Sequence, residues 1–165
     1  MKIKTWQIIT IIICLILGIF LHFTYEWSGE NVIVGLFSAV NESTWEHLKL
    51  VFFPMLVYGL FAVRHLKNEY ICIDKAFSIG ILTGIFLIPV IFYTYSGILG
   101  YDVAWLNILT FILSVIIAYV MIYKAAKSCD DSEETVFSKI LVWAFFIAFI
   151  AFTYNPPELG IFTVK

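Results

Sequence analysis

Residues 43–64 read STWEHLKLVFFPMLVYGLFAVR. The stretch opens like the capped start of a helix, carries Glu46, His47 and Lys49 in its first two turns, and then stays apolar through Pro54 to Arg64. A proline inside a helix removes one backbone hydrogen bond and crowds the carbonyl four residues back, so the segment is read as one helix kinked at Pro54. A fold with only four spans would strand the apolar run 50–63 in water. At about 1.5 Å per residue the whole segment spans the roughly 30 Å hydrocarbon core of a bilayer. Counting it as a span completes a set of five with 5–24, 76–95, 103–123 and 136–154. The expected fold is therefore an all-α, polytopic transmembrane helical bundle, a single domain over residues 1–165.

Composition points the same way. Of 165 residues, 62% are hydrophobic and 13% charged, where a soluble domain has about 45–50% and about 25%. With mean hydropathy +0.97, the apolar surface exceeds what one small core hides from water, and the lipid bilayer is the expected surrounding. A soluble enzyme is excluded. Ten Lys and Arg and a net charge of −2 argue against a nucleic-acid partner. The basic start Lys2 and Lys4 resembles a signal peptide, yet the apolar run is too long and no small-x-small cleavage site follows, so 5–24 is expected to stay as an anchor.

Orientation follows from basic residues, which are retained in cytoplasmic loops. With five spans, Lys2, Lys4, Arg64, Lys67, Lys75, Lys124, Lys127 and Lys139 share one side, and Lys165 alone falls on the other. The expectation is a multi-pass protein of the cell membrane with the N-terminus cytoplasmic and the C-terminus outside. Tyr25, Trp27, Trp45, Tyr93, Tyr95, Tyr101, Trp105 and Tyr154 then gather toward the outer interface.

Smaller features have simple readings. Segment 30–40 is too short to span and is read as interfacial. Gly80 and Gly84 form a small-xxx-small pair suited to close helix approach, within the chain or in a homo-oligomer. Cys14, Cys72 and Cys129 have no zinc-like spacing; Cys14 reads as core filler and no disulfide is expected. Asp130, Asp131, Glu133 and Glu134 read as a solvated turn leading into the last helix, Asp102 as an N-cap, and His65 as a surface residue.

Polar side chains in such a chain are costly and concentrate at one level. His22 and Glu26 lie four apart at the end of the first span; Asn41, Glu42, Glu46, His47 and Lys49 open the second. His22 is 18 residues, about 27 Å, beyond Lys4, and His47 is 18 residues from His65, so both histidines fall near the outer edge of the hydrocarbon. One reading is structural: Ser43 and Glu46 form a capping box, each satisfying the other's backbone N–H. That leaves His22, His47 and Lys49 unexplained.

The run His22-Phe23-Thr24-Tyr25-Glu26, the stretch Asn41-Glu42-Ser43-Thr44-Trp45-Glu46-His47-Leu48-Lys49, and Phe152-Thr153-Tyr154-Asn155-Pro156-Pro157 together resemble an uncharacterised family of small bacterial multi-spanning membrane proteins. Its most specific part is the Asn-Glu-Ser-x-Trp-Glu-His-x-Lys motif. The resemblance covers the whole chain and implies a domain of unknown function, with no activity, cofactor or catalytic residue.

The residues themselves suggest a divalent-metal site, because two imidazoles and carboxylates on adjoining helices suit zinc, manganese or iron. His22, Glu26, Glu46 and His47 are the expected ligands, and Glu46 or Glu42 the candidate catalytic bases. The corresponding function is a membrane-embedded hydrolase or transferase acting on a lipid-like substrate. Two alternatives stand beside it. One is a proton- or ion-coupled transporter or channel, opposed by the lack of acids or His in the inner half of any span. The other is an accessory subunit without catalysis.

Overall fold

The computed structural model describes residues 3–128 and 134–164. Among them, every regular element is helical: α1 (Ile3–Trp27), α2 (Val32–Gly35), α3 (Thr44–Leu66), α4 (Ile73–Leu99), α5 (Ala104–Lys127), α6 (Glu134–Phe152) and a closing 3-10 turn (Gly160–Phe162). Lys2, Cys129, the acidic run at 130–133 and Lys165 lie outside the described residues.

Helices α1, α3, α4 and α5 are long and apolar enough to cross a membrane; the apolar part of α6, Val136–Phe152, is shorter. Helix α3 runs through Pro54 as one element. The outward surfaces of these helices are strongly apolar. Ile12 and Ile19 on α1, Leu60 and Phe61 on α3, Phe86 and Val90 on α4, and Ile108 and Val120 on α5 are all exposed, far more apolar surface than a water-soluble monomer presents.

Helix α4 sits in the middle, packed against α5, α3 and α6, while α1 leans on α3 and α5. Gly80 and Gly84 make the α4–α5 approach close. A Cβ on Gly80 would run into Ile122 and come within 3.0 Å of the Ala118 carbonyl, and one on Gly84 would meet Val51 of α3 at 2.9 Å. The pair is covered inside one chain, which leaves no room there for a helix of a second copy. Gly80→Leu is expected to cost about 1–3 kcal/mol through overpacking, read as earlier unfolding in a detergent titration.

The core alternates such close approaches with large side chains. Phe52 and Met55 of α3, Ile85 of α4, Tyr119 and Ile122 of α5 and Phe149 of α6 are fully buried. On the α1 side, buried Cys14 lies 3.1 Å from the Tyr119 hydroxyl, and the Gln7 amide donates to the Tyr119 carbonyl at 3.2 Å. At the end of the bundle formed by the α3 C-terminus and the α4 N-terminus, Lys139 of α6 pairs with Asp74 of α4.

Three sequence expectations are corrected here. Trp45 belongs to no interfacial belt: it is buried, its ring 4.8 Å from Phe149, 4.7 Å from Phe162 and 5.9 Å from Phe152. A residue's level along a helix says nothing of the face it occupies, and this face meets α6 and the closing turn. Asp102 is not the cap of α5: Val103 holds that position without a side-chain cap bond, and Asp102 instead accepts from the Asn107 amide at 3.3 Å. Cys72 is disulfide-bonded, so the expectation of no disulfide fails. That expectation came from compartment, which carries no information on which thiols the bundle brings together.

Candidate functional site

The polar cluster forms where α1 ends and α3 begins, and its construction starts with a buried ion pair. Lys49 is 0% exposed and Glu46 2%. Burying either charge alone would be very costly, so each must be saturated with partners. The Lys49 ammonium donates to Glu46 Oε2 at 2.7 Å, to Thr153 Oγ1 at 2.7 Å, and to the backbone carbonyls of Gly35 and Ser38 at 3.0 and 3.4 Å. Glu46 Oε2 also accepts from the Val40 N–H at 3.0 Å.

This pair therefore fastens the connection between α1 and α3 to both α3 and the end of α6. Ser38 adds a second fastening, since its hydroxyl donates to the Leu21 carbonyl and accepts from the Tyr25 N–H at 3.0 Å. Gly35 must be small here, because a Cβ would collide with the Tyr154 hydroxyl and meet Val40 at 2.8 Å. Tyr154 in turn donates to the Val32 carbonyl at 2.9 Å.

Engaged in this way, Glu46 does not complete the capping box. Ser43 accepts from the Glu46 N–H at 3.4 Å, as a cap should, but the Ser43 N–H is taken by Asn41 Oδ1 at 2.9 Å. Asn41 thus holds the turn that carries Glu42 into position.

Glu42 stands between the two histidines. Its Oε1 is 3.7 Å from His22 Nε2 and its Oε2 3.4 Å from His47 Nε2, and one ligand atom from each of the three residues lies within 4.8 Å of the others. The imidazole rings are 5.3 Å apart. The His47 Nδ1 contacts the Ser43 carbonyl at 2.8 Å; a carbonyl only accepts, so Nδ1 donates there and Nε2 is the nitrogen turned toward Glu42. Such a backbone contact on the far nitrogen orients metal-binding histidines generally. His22 is held by its edge-to-face contact with Phe23, at 4.8 Å, and its buried Nδ1 has no hydrogen-bond partner among the described residues.

The sequence-derived set is thus divided. His22, His47 and Glu42 converge, with the histidines partly exposed at 27% and 30% and Glu42 open at 66%. Glu46 and Lys49 turn inward as a strut, Asn41 caps a turn, and Glu26 is exposed outside the converging group. The expected ligand set changes accordingly: Glu42 takes the place given to Glu26 or Glu46.

Two hydrogen-bonded residues were missed. Tyr95 donates to the Asn107 side-chain oxygen, and Asn107 donates to Asp102, forming a polar chain from α4 to the start of α5. Asn107 alone in an apolar run was the available signal, because an amide in a membrane helix needs a partner.

Two cavities adjoin the histidines. One, of about 550 Å³, runs between α1 and α5 and is lined by His22, Glu42 and His47 together with Leu15, Ile19, Phe23 and Ile108. The other, of about 260 Å³, is lined by Glu42, His47, Thr44, Asp102, Asn107 and Thr163.

The class is set by these features: an all-helical protein with four helices of membrane-crossing length and two histidines converging on a carboxylate beside an apolar cavity. The chain belongs to DUF6512, a family of unknown function, whose model matches residues 1–165. No curated protein and no solved structure matches it.

Proposed function

We propose that this is a metal-dependent enzyme of the cell membrane, in which His22, His47 and Glu42 hold a zinc, manganese or iron ion for hydrolysis or group transfer on a lipid-like substrate. The observation that carries the reading is the two-histidine, one-carboxylate convergence. With metal–ligand bonds of about 2.0–2.2 Å, tetrahedral ligand atoms stand about 3.4 Å apart; each histidine lies at about that distance from one of the two Glu42 oxygens, 3.7 Å from Oε1 for His22 and 3.4 Å from Oε2 for His47, and one ligand atom from each residue lies within 4.8 Å of the others. Three protein ligands leave a position for water or substrate, the arrangement of catalytic rather than structural zinc. A metal held there would polarise a carbonyl or phosphoryl oxygen and make a bound water nucleophilic. The partial exposure of both imidazoles and the adjoining apolar cavity give that position access to an amphiphile.

In the same reading α6 is a fifth span, the N-terminus is cytoplasmic, the C-terminus is outside, and segment 30–40 lies along the outer interface. The eight basic residues on one side support it. The site then opens toward the outer leaflet. A periplasmic or extracellular reporter fused after Lys165 is expected to be active; activity only from a cytoplasmic reporter contradicts the five-span count.

Activity is tested with the full chain in liposomes containing an ester lipid. Cleavage that needs added zinc or manganese, stops with chelator and is lost in Glu42→Gln supports the enzyme. Saturation of the site with metal and no turnover of any ester, phosphoester or prenyl-diphosphate lipid overturns it.

A further inference from the structure

The two cavities share one wall. Glu42, His47, Leu50, Asn107 and Phe111 line both, so the spaces meet at the converging histidines. The smaller cavity is the more polar of the two. Leu15, Ile19, Phe23, Ile108, Phe111 and Ile112 line the larger one, and Ile19 and Ile108 are exposed on the lipid-facing surface. The smaller one carries Thr44, Asp102, Asn107, Thr110 and Thr163 beside the apolar Leu50, Ile88, Phe92 and Phe111, with no Lys or Arg among its lining residues.

We infer that the pair of cavities is a divided subsite for a single-chain lipid with an uncharged, hydroxylated head group, the chain lying along α1 and α5, the head against Asp102 and Asn107, and the linkage between them at His22, Glu42 and His47. The inference rests on the lipid-directed reading of the site and adds the substrate class. The larger cavity, of about 550 Å³ and lined along α1 and α5, has room for a long acyl chain. Charge limits the head. Glu42 and Asp102 put carboxylates in the wall of the smaller cavity, which repel a phosphate and accept charge-assisted hydrogen bonds from hydroxyls. The bond from Asn107 orients Asp102, and Tyr95 orients Asn107.

The test uses the full chain, treated with chelator, in detergent micelles, with three probes of one acyl chain: 1-oleoylglycerol, oleoyl lysophosphatidic acid and methyl oleate. Oleoylglycerol is expected to bind in one copy and about tenfold or more tighter than the other two, the equivalent of about 1.4 kcal/mol. Ile108→Trp, at an exposed position that folding tolerates, is expected to weaken it about tenfold by filling the chain cavity. Asp102→Ala is expected to bring oleoylglycerol down to the affinity of methyl oleate while leaving methyl oleate unchanged. Equal binding of the three probes, tighter binding of the lysophosphatidic acid, or an Ile108→Trp protein that binds like wild type overturns the inference. Lipid binding without metal binding in the wild type would refute the metal reading alone, and metal binding without lipid selectivity would refute only this one.

Discussion

Lys49→Met is expected to be the most destabilising single substitution in the chain, at about 3–5 kcal/mol. The methionine fits the volume, but it leaves Glu46 buried without its cation and frees the carbonyls of Gly35 and Ser38 and the hydroxyl of Thr153 from their shared donor. Removing one member of a buried pair costs this much because the other charge stays behind in a medium that cannot solvate it. Converting both, Glu46→Leu with Lys49→Met, is expected to recover roughly half of the loss, since no orphan charge remains. Unfolding of the single and double variants in a detergent titration measures both effects. A Lys49→Met protein as stable as wild type would mean that the connection between α1 and α3 is held by something other than this strut. The same variant carries a functional consequence. Lys49 touches no ligand atom and acts as a positioning residue for the segment that carries Glu42, so metal affinity is expected to fall about 10–100-fold, as when an outer-shell partner is lost, even at temperatures where the variant remains folded.

Glu42→Ala is expected to lower zinc or manganese affinity by more than about 100-fold, beyond the usual outer-shell effect, with little change in stability. Its carboxylate is open to solvent and bonded to no backbone group among the described residues, so folding does not depend on it; the two imidazoles do, as partners. Glu26→Ala supplies the contrast. Glu26 shares a helix face with His22 but lies outside the converging group, and its removal is expected to leave affinity unchanged. Isothermal titration of chelator-stripped protein compares the two. An equal loss in both would return Glu26 to the ligand set; no loss in Glu42→Ala would remove the carboxylate from it.

These two residues also mark how far the sequence could be read. His22 and His47 stood out because imidazoles in an apolar helix are costly, and that argument needs no knowledge of neighbours. The four-residue spacing of His22 and Glu26 reports a shared helix face, but a shared face is not a shared target: His22 meets Glu42 of the connecting segment, while Glu26 stays exposed. From sequence Glu42 is a member of the polar cluster and a candidate base and not a ligand; it precedes α3, so its helical spacing from Glu46 does not report where its carboxylate points. Glu46 was read as a ligand for the opposite reason. Its position in α3 was legible, but the Val40 N–H and the Lys49 ammonium that claim its carboxylate depend on how segment 35–40 folds back over the helix. The long apolar helices were visible from composition and length alone, whereas Trp45 and Asp102 were assigned by level and by residue type, neither of which specifies what the side chain packs against.

The division of labour that results is physical. An apolar bundle has little polar material, and this one buries Glu46 and Lys49 as a hydrogen-bonded strut while His22, His47 and Glu42 remain partly or largely exposed. The strut holds the segment that brings Glu42 to the histidines, so the stability of the fold and the geometry of the site depend on the same four hydrogen bonds to Lys49.

The most direct test of this account is the metal content of the purified full-length protein, measured by elemental analysis beside a His22→Ala, His47→Ala variant after both are loaded with zinc or manganese and dialysed. About one equivalent of metal in the wild type and almost none in the variant is the expected result. Equal, substoichiometric metal in both proteins would contradict it.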